Sequence, residues 1–358
     1  MQYGTTGYWV GEYKIDGYYA RSLFAVGIGR SNARPQARCR DPMTIFVEDW
    51  QGSYGSPYLV TPDDQGSASV SLAEDPVFKA HASHLVIGAH EHVAFVDGVR
   101  RGEAALYQHS PESGKVIRGV AGSHACGAAI ANGASRAVFS SERVQRLVIW
   151  GSGETGDLEP SGGFAWVSRS VDDEAPDAPL KQIQERMRRE EVRLAEELSG
   201  QGLRVVLDGP LFYVRSWDLP IVGYIKTHSR ALLEPEMHKL IPTLRPGERS
   251  TIFRLGDDRY SCYLRLTPIS EMSGPWAGIV RLEVPQATGL KRAIETVNWV
   301  AGVIPRYAGI PYKDPRAPQN LQPVGALEKH LRHRLGDPGL AYRAVRAAVA
   351  TSRREVKA

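Results

Sequence analysis

Two rhythms divide this chain. One is the short apolar run bounded by Gly, Pro, Asn or Asp, which predicts strands. It recurs at residues 93–96, 103–107, 146–150, 164–167, 203–207, 221–226, 250–255, 262–266 and 278–284. The other is helical spacing. Leu180, Ile183, Met187, Leu194 and Leu198 form a stripe that predicts a helix over 179–199, stopped by Gly200 and Gly202. Further helices are expected over 287–303 and from about Val324, after a Pro-rich loop at 311–323. Strands interleaved with helices make an α/β protein.

The rhythm also sets boundaries. Tyr8-Trp9-Val10, Tyr18-Tyr19-Ala20 and Thr44-Ile45-Phe46-Val47 are short, aromatic and β-branched, with Gly and Pro between them. Residues 1–78 therefore read as a β-rich N-terminal segment, a small barrel or a sheet extension. Residues 79–340 form the main domain, and 341–358 the end of a helix and a frayed, charged tail. Arg100-Arg101-Gly102, between two apolar runs, predicts a tight hairpin turn, and Gly256-Asp257-Asp258 predicts another.

Composition adds limits. The 358 residues are 42% hydrophobic and 23% charged, as in an ordinary folded domain. No apolar run is long enough to span a bilayer and no secretory signal opens the chain, so a cytoplasmic, non-membrane protein is expected. Cys39, Cys126 and Cys262 are too far apart for a zinc pair and odd in number for a disulfide framework. The net charge of +4 permits a nucleic-acid partner without requiring one.

The candidate chemistry is acidic. Two of the apolar runs end in Asp-Gly, at Asp97-Gly98 and Asp208-Gly209. An aspartate at the carboxyl end of a buried strand sits at the rim where ligands bind in α/β sheets. The bland alternative is that Asp-Gly is a favoured turn pair. On the predicted helix, Glu191 lies four residues after Met187 and three before Leu194, on the apolar stripe, and Glu190 lies at its edge. A solvated Arg/Glu helix surface is the rival reading there. Together Asp97, a helix glutamate and Asp208 would make a hard, all-oxygen site suited to Mg²⁺ or Mn²⁺ and to phosphodiester hydrolysis. Arg100, Arg101, Lys226 and Arg316 are near enough in sequence to track a phosphate backbone. The histidines at 81, 84, 90 and 92 read as a loop or strand surface, and Gly151-Ser152-Gly153 lacks the rest of a dinucleotide loop.

With these residues in view, the chain resembles the NurA nuclease family. The matching pieces are Val96-Asp97-Gly98-Val99-Arg100, the glutamate-bearing helix, Val206-Leu207-Asp208-Gly209-Pro210-Leu211 and Gly223-Tyr224-Ile225-Lys226, in family order over about residues 85–330. The resemblance implies an RNase H-like, Piwi-like mixed sheet with flanking helices. It also implies manganese-dependent cleavage of DNA, a homodimer, and partnership with a HerA-type hexameric ATPase or helicase in DNA end resection. Carried over, Asp97, Glu191 and Asp208 would hold metal, with Glu190 in reserve, and Tyr224 would lie beside the substrate. The family's C-terminal metal-binding histidine has no counterpart here: Gly325 stands in its place, with Glu328, His330 and His333 as the nearby substitutes. A DNA-binding or helicase-docking module without catalysis, and an enzyme acting on RNA, are the rival readings.

Overall fold

In the computed structural model, the described residues are 44–47, 69–82, 92–109, 114–133, 137–214, 221–228, 231–268 and 274–355; side chains are not described at 44–47 and 353–355. The runs expected at Tyr8 and Tyr18, and His84 and His90, lie outside them. The strands are β1 (Thr44–Val47), β2 (Val70–Leu72), β3 (Ala80–Ala82), β4 (His92–His109), β5 (Val116–Asn132), β6 (Ala137–Trp150) and β7 (Val167–Ser170). Helix α1 (Ala178–Gly200) follows, then β8 (Arg204–Asp208), β9 (Ile221–Ile225) and a single-turn α2 (Pro235–His238). Next come β10 (Glu248–Ser250), β11 (Phe253–Leu255), β12 (Arg259–Arg265) and β13 (Ile279–Pro285). Helices α3 (Leu290–Val303), α4 (Gln322–Arg334) and α5 (Pro338–Glu355) end the chain. The expected α/β class is present. Among the described residues no helix is long and apolar enough to cross a membrane.

All thirteen strands belong to one mixed sheet, whose main path runs β2-β11-β12-β13-β9-β8-β4-β5-β6-β7. The long strands β4, β5 and β6 form an antiparallel meander; β8 then pairs parallel with β4, and β9 parallel with β8. Alternation along β4 sorts its side chains. Val93, Phe95 and Val99 join the core that includes Val297, Val300, Leu327 and Leu331 of α3 and α4. Ala94 and Val96 join the core under Val192, Leu194 and Ala195 of α1. The sheet is thus covered by α1 on one face and by α3 and α4 on the other.

Several expectations need correction. Arg100-Arg101-Gly102 is not a turn: β4 runs straight through it for 18 residues. The extra residue is absorbed by a register shift between Gly102 and Ala104. Arg100 is held by Gln184, and Arg101 by the carbonyls of Leu335 and Gly336, so neither projects into solvent as a hairpin tip would. Asp97-Gly98 is therefore mid-strand. The run at 250–255 is broken at Thr251 and Ile252, whose amides are taken by the Lys79 carbonyl and the Glu74 carboxylate. The run at 164–167 forms a strand only from Val167, because Phe164 closes a small bridge with Ser161. The Gly256–Asp258 turn does join two antiparallel strands, β11 and β12. The final helical region is two helices, and the second reaches Glu355.

Candidate metal centre

The sheet brings Asp97 and Asp208 side by side. Parallel β8 pairs with β4 as far as Val96 opposite Leu207, and the next residue on each strand is the aspartate. Asp97 has the parity of Phe95 and Val99, and Asp208 that of Val206, so both carboxylates lie on the α3/α4 face. Helix α4 delivers Glu328 to the same face. One oxygen from each of Asp97, Asp208 and Glu328 lies within 4.8 Å of the others, and all three residues are buried.

Glu191 approaches from the other side. It is completely buried, as its place in the stripe predicts, but it rides on α1 against the opposite face of the sheet. It reaches β4 only because Gly98 has no side chain. A Cβ there would collide with Glu191 Oε1 and come within 2.9 Å of Met187 Cγ. The bland alternative of a turn pair does not hold at Asp97-Gly98, where the glycine serves close approach within a strand. Arg188, one helical turn before Glu191, ties the two faces together. Its Nη1 donates to Glu191 Oε2 at 2.9 Å and to the Asp208 carbonyl at 2.6 Å.

Cations stand against three of the four acids. Arg188 pairs with Glu191 and Lys226 Nζ lies 2.5 Å from Asp208 Oδ2. Arg316 grips both oxygens of Glu328, at 2.8 and 2.7 Å. Asp97 has no cation in contact among the described residues. Burial, and then the neighbouring Asp208, push its carboxyl well above the usual carboxylate range. Glu191 is also raised by burial, with Arg188 opposing. Lys226 is held above its ordinary value: burial disfavours its charge, but Asp208 and Asp97 outweigh that. Asp97 Oδ2 and Glu191 Oε1 are buried with no hydrogen-bond partner among the described residues. When ionised, a carboxylate only accepts, and such oxygens then call for a donor or a cation.

Of the other expected residues, Tyr224, Lys226 and Arg316 line the cleft, while Glu190, His330, Arg100 and Arg101 do not. Tyr224 lines the cleft, but its hydroxyl is buried and donates to the Gln319 carbonyl at 2.7 Å, which pins the 311–321 loop. Glu190 points away, to Arg193 and Arg143. His330 is outside the cluster; its Nε2 meets Glu142 at 2.6 Å and its ring stacks on Phe139. Of the four expected DNA contacts, Arg100 and Arg101 are spent on Gln184 and on backbone carbonyls, while Lys226 and Arg316 serve the acids. Arg188 and Asn320, which accepts from Lys226 at 2.9 Å, were not singled out from sequence. For Arg188 the signal was available: it stands three residues before Glu191, on the same helical face.

The cleft measures about 270 Å³ and is walled by Asp97, Asp208, Glu328, Arg188, Lys226 and Arg316, among others. An all-carboxylate donor set with open buried oxygens fits a hard divalent cation. No protein-family model matches the chain, and no curated protein matches it.

Proposed function

We propose that the chain is a divalent-metal-dependent nuclease acting on DNA. The observation that carries this reading is the convergence of Asp97, Asp208 and Glu328 within 4.8 Å, beside a buried Asp97 oxygen with no hydrogen-bond partner among the described residues. The strand order supports an RNase H-like core. An antiparallel meander of three long strands is followed by a helix and by two strands added parallel to the first of them. Acids on the first and fourth strands of that unit then meet at one point.

In this reading Asp97, Asp208 and Glu328 hold Mn²⁺ or Mg²⁺. Glu191 is not a direct ligand but completes the negative field from behind Gly98. When bound, such an ion polarises the phosphodiester and makes water a better nucleophile. The protein's own residues do the rest. Arg188 fixes the Asp208 backbone, and Tyr224 holds the loop that carries Asn320. The open cleft has room for a phosphate beside the acids. Cleavage of DNA rather than RNA, a homodimer and a hexameric HerA-type translocase as partner belong to the same proposal, by resemblance to the NurA family.

The test is cleavage of end-labelled single- and double-stranded DNA, with RNA alongside, in Mn²⁺, Mg²⁺ or EDTA. Metal-dependent cutting should fall by about a thousandfold or more in Asp97→Ala. Cutting at the wild-type rate by that variant would remove Asp97 from the site. A second reading has an observation in its favour: Lys226 and Arg316 already neutralise Asp208 and Glu328. A DNA-binding module without catalysis would bind DNA yet give no product in any metal, even with a translocase added.

A further inference from the structure

The cation in contact with Asp208 belongs to the chain itself. Lys226 follows β9 and shares the parity of Tyr224, so it projects to the same face as the three carboxylates. Its Nζ lies 2.5 Å from Asp208 Oδ2 and 2.9 Å from Asn320 Oδ1. Asn320 is itself buried and fixed, its Nδ2 donating to Asp314 Oδ2 at 2.6 Å. This lysine is therefore held in a built position, unlike a surface lysine that samples many rotamers. Asp97 and Glu328 face the same ammonium.

An ammonium and a hard divalent cation compete for carboxylate oxygens, and they repel each other at contact distance. Lys226 already holds Asp208 Oδ2, so a divalent ion drawn to that oxygen meets the ammonium at close range. We infer that Lys226 is a resident counter-ion, which a divalent cation must displace from Asp208 before the three carboxylates can close on it. The affinity of the centre for metal is then set as much by Lys226 as by the acids. The displaced ammonium remains on its stem at the wall of the cleft, where a phosphate oxygen is the anion that replaces Asp208. This rests on the reading that Asp97, Asp208 and Glu328 hold a divalent ion.

Two measurements test it, neither of which reads cleavage. Calorimetric titration of the full chain with Mg²⁺ and with Mn²⁺ should show Lys226→Met binding about tenfold tighter than wild type, or more, because one like charge has been removed. Equal or weaker binding by a folded Lys226→Met, or no binding by either protein, overturns the inference. If that variant does not fold, the wild-type protein decides. The ¹⁵N resonance of the Lys226 ammonium should shift as Mg²⁺ saturates the site; an unchanged resonance at saturation overturns the inference. Tighter metal binding by Lys226→Met than by wild type, with no cleavage by wild type even with a translocase added, would keep this inference and sink the nuclease reading.

Discussion

Two regions of this molecule bury carboxylates equally deeply and treat them in opposite ways. On β12 and β13, Glu283 is fully buried and every oxygen is used. Arg281 donates to it at 2.6 Å, Arg259 reaches both oxygens at 3.2 Å, and the Leu211 amide adds a bond at 3.1 Å. Glu74, only partly buried, takes a two-pronged grip from Arg249, both contacts at 2.7 Å, and the Ile252 amide at 3.0 Å. In the cleft, Asp97 and Glu191 are just as buried, and each keeps an oxygen with no partner among the described residues. Burial of a charge does not mark a functional site, since a closed network is architecture. The cleft differs from the Glu283 network in incomplete satisfaction, which costs stability unless something else supplies the missing contact.

The largest expected effect comes from opening the closed region. Glu283→Gln keeps the shape but leaves two guanidiniums without their shared counter-charge, one of them on the almost fully buried Arg281. The fold should lose about 3 kcal/mol or more. Chemical unfolding measures it, and a change under about 1 kcal/mol would erase the contrast between the two regions.

The contrast also explains what could be read from sequence. Asp97 and Asp208 were legible because each follows an apolar strand run, and the helix carrying Glu191 was legible from its period. The partnership of the acids was not, because it depends on which face each residue takes. Glu191 does pack on the sheet, as its spacing says, but on the face opposite Asp97 and Asp208. Glu328 joins them from α4, more than a hundred residues after Asp208, and no local pattern separates it from His330 two positions on. The mistaken hairpin at Arg100-Arg101-Gly102 has the same origin. Two arginines and a glycine look like a solvent-exposed turn until tertiary partners, Gln184 and the end of α4, are in place to receive them. Local periodicity carried the elements; long-range partners decided their assembly.

A smaller effect tests the route by which Glu191 reaches the strand. In Gly98→Ala the new methyl meets Glu191 Oε1 and Met187 Cγ, both on flexible side chains, with the Ala125 carbonyl 3.1 Å away. Overpacking of this kind should cost about 1–3 kcal/mol. Because the carboxylate must move, metal binding should weaken as well. A glycine-to-alanine change at Gly200, whose Cβ would meet nothing within 4 Å among the described residues, should do neither. If Gly98→Ala melts and binds metal as wild type does, Glu191 has no need of the gap, and the two faces of the sheet are not coupled there.

The smallest effect runs in the direction opposite to the first. Asp97→Asn should stabilise the metal-free protein, by on the order of 1 kcal/mol at neutral pH. The sign follows from linkage. Burial and Asp208 raise the folded-state pKa of Asp97, whereas an unfolded aspartate ionises near 3.9. Below the unfolded value both states hold the proton and Asp97 costs nothing. As pH rises past it, the unfolded chain releases the proton before the folded one does, so wild-type stability falls until the folded pKa is passed. The asparagine variant escapes that fall. Its advantage, measured as a melting-temperature difference in chelator, should be smallest near pH 4 and grow towards neutrality. Adding Mn²⁺ should reverse the order, because only the wild-type carboxylate gains a cation and the stability that binding brings. A difference that ignores pH would mean the strain at Asp97 is not electrostatic. A variant less stable than wild type in chelator would mean Asp97 belongs with Glu283, as a closed structural charge.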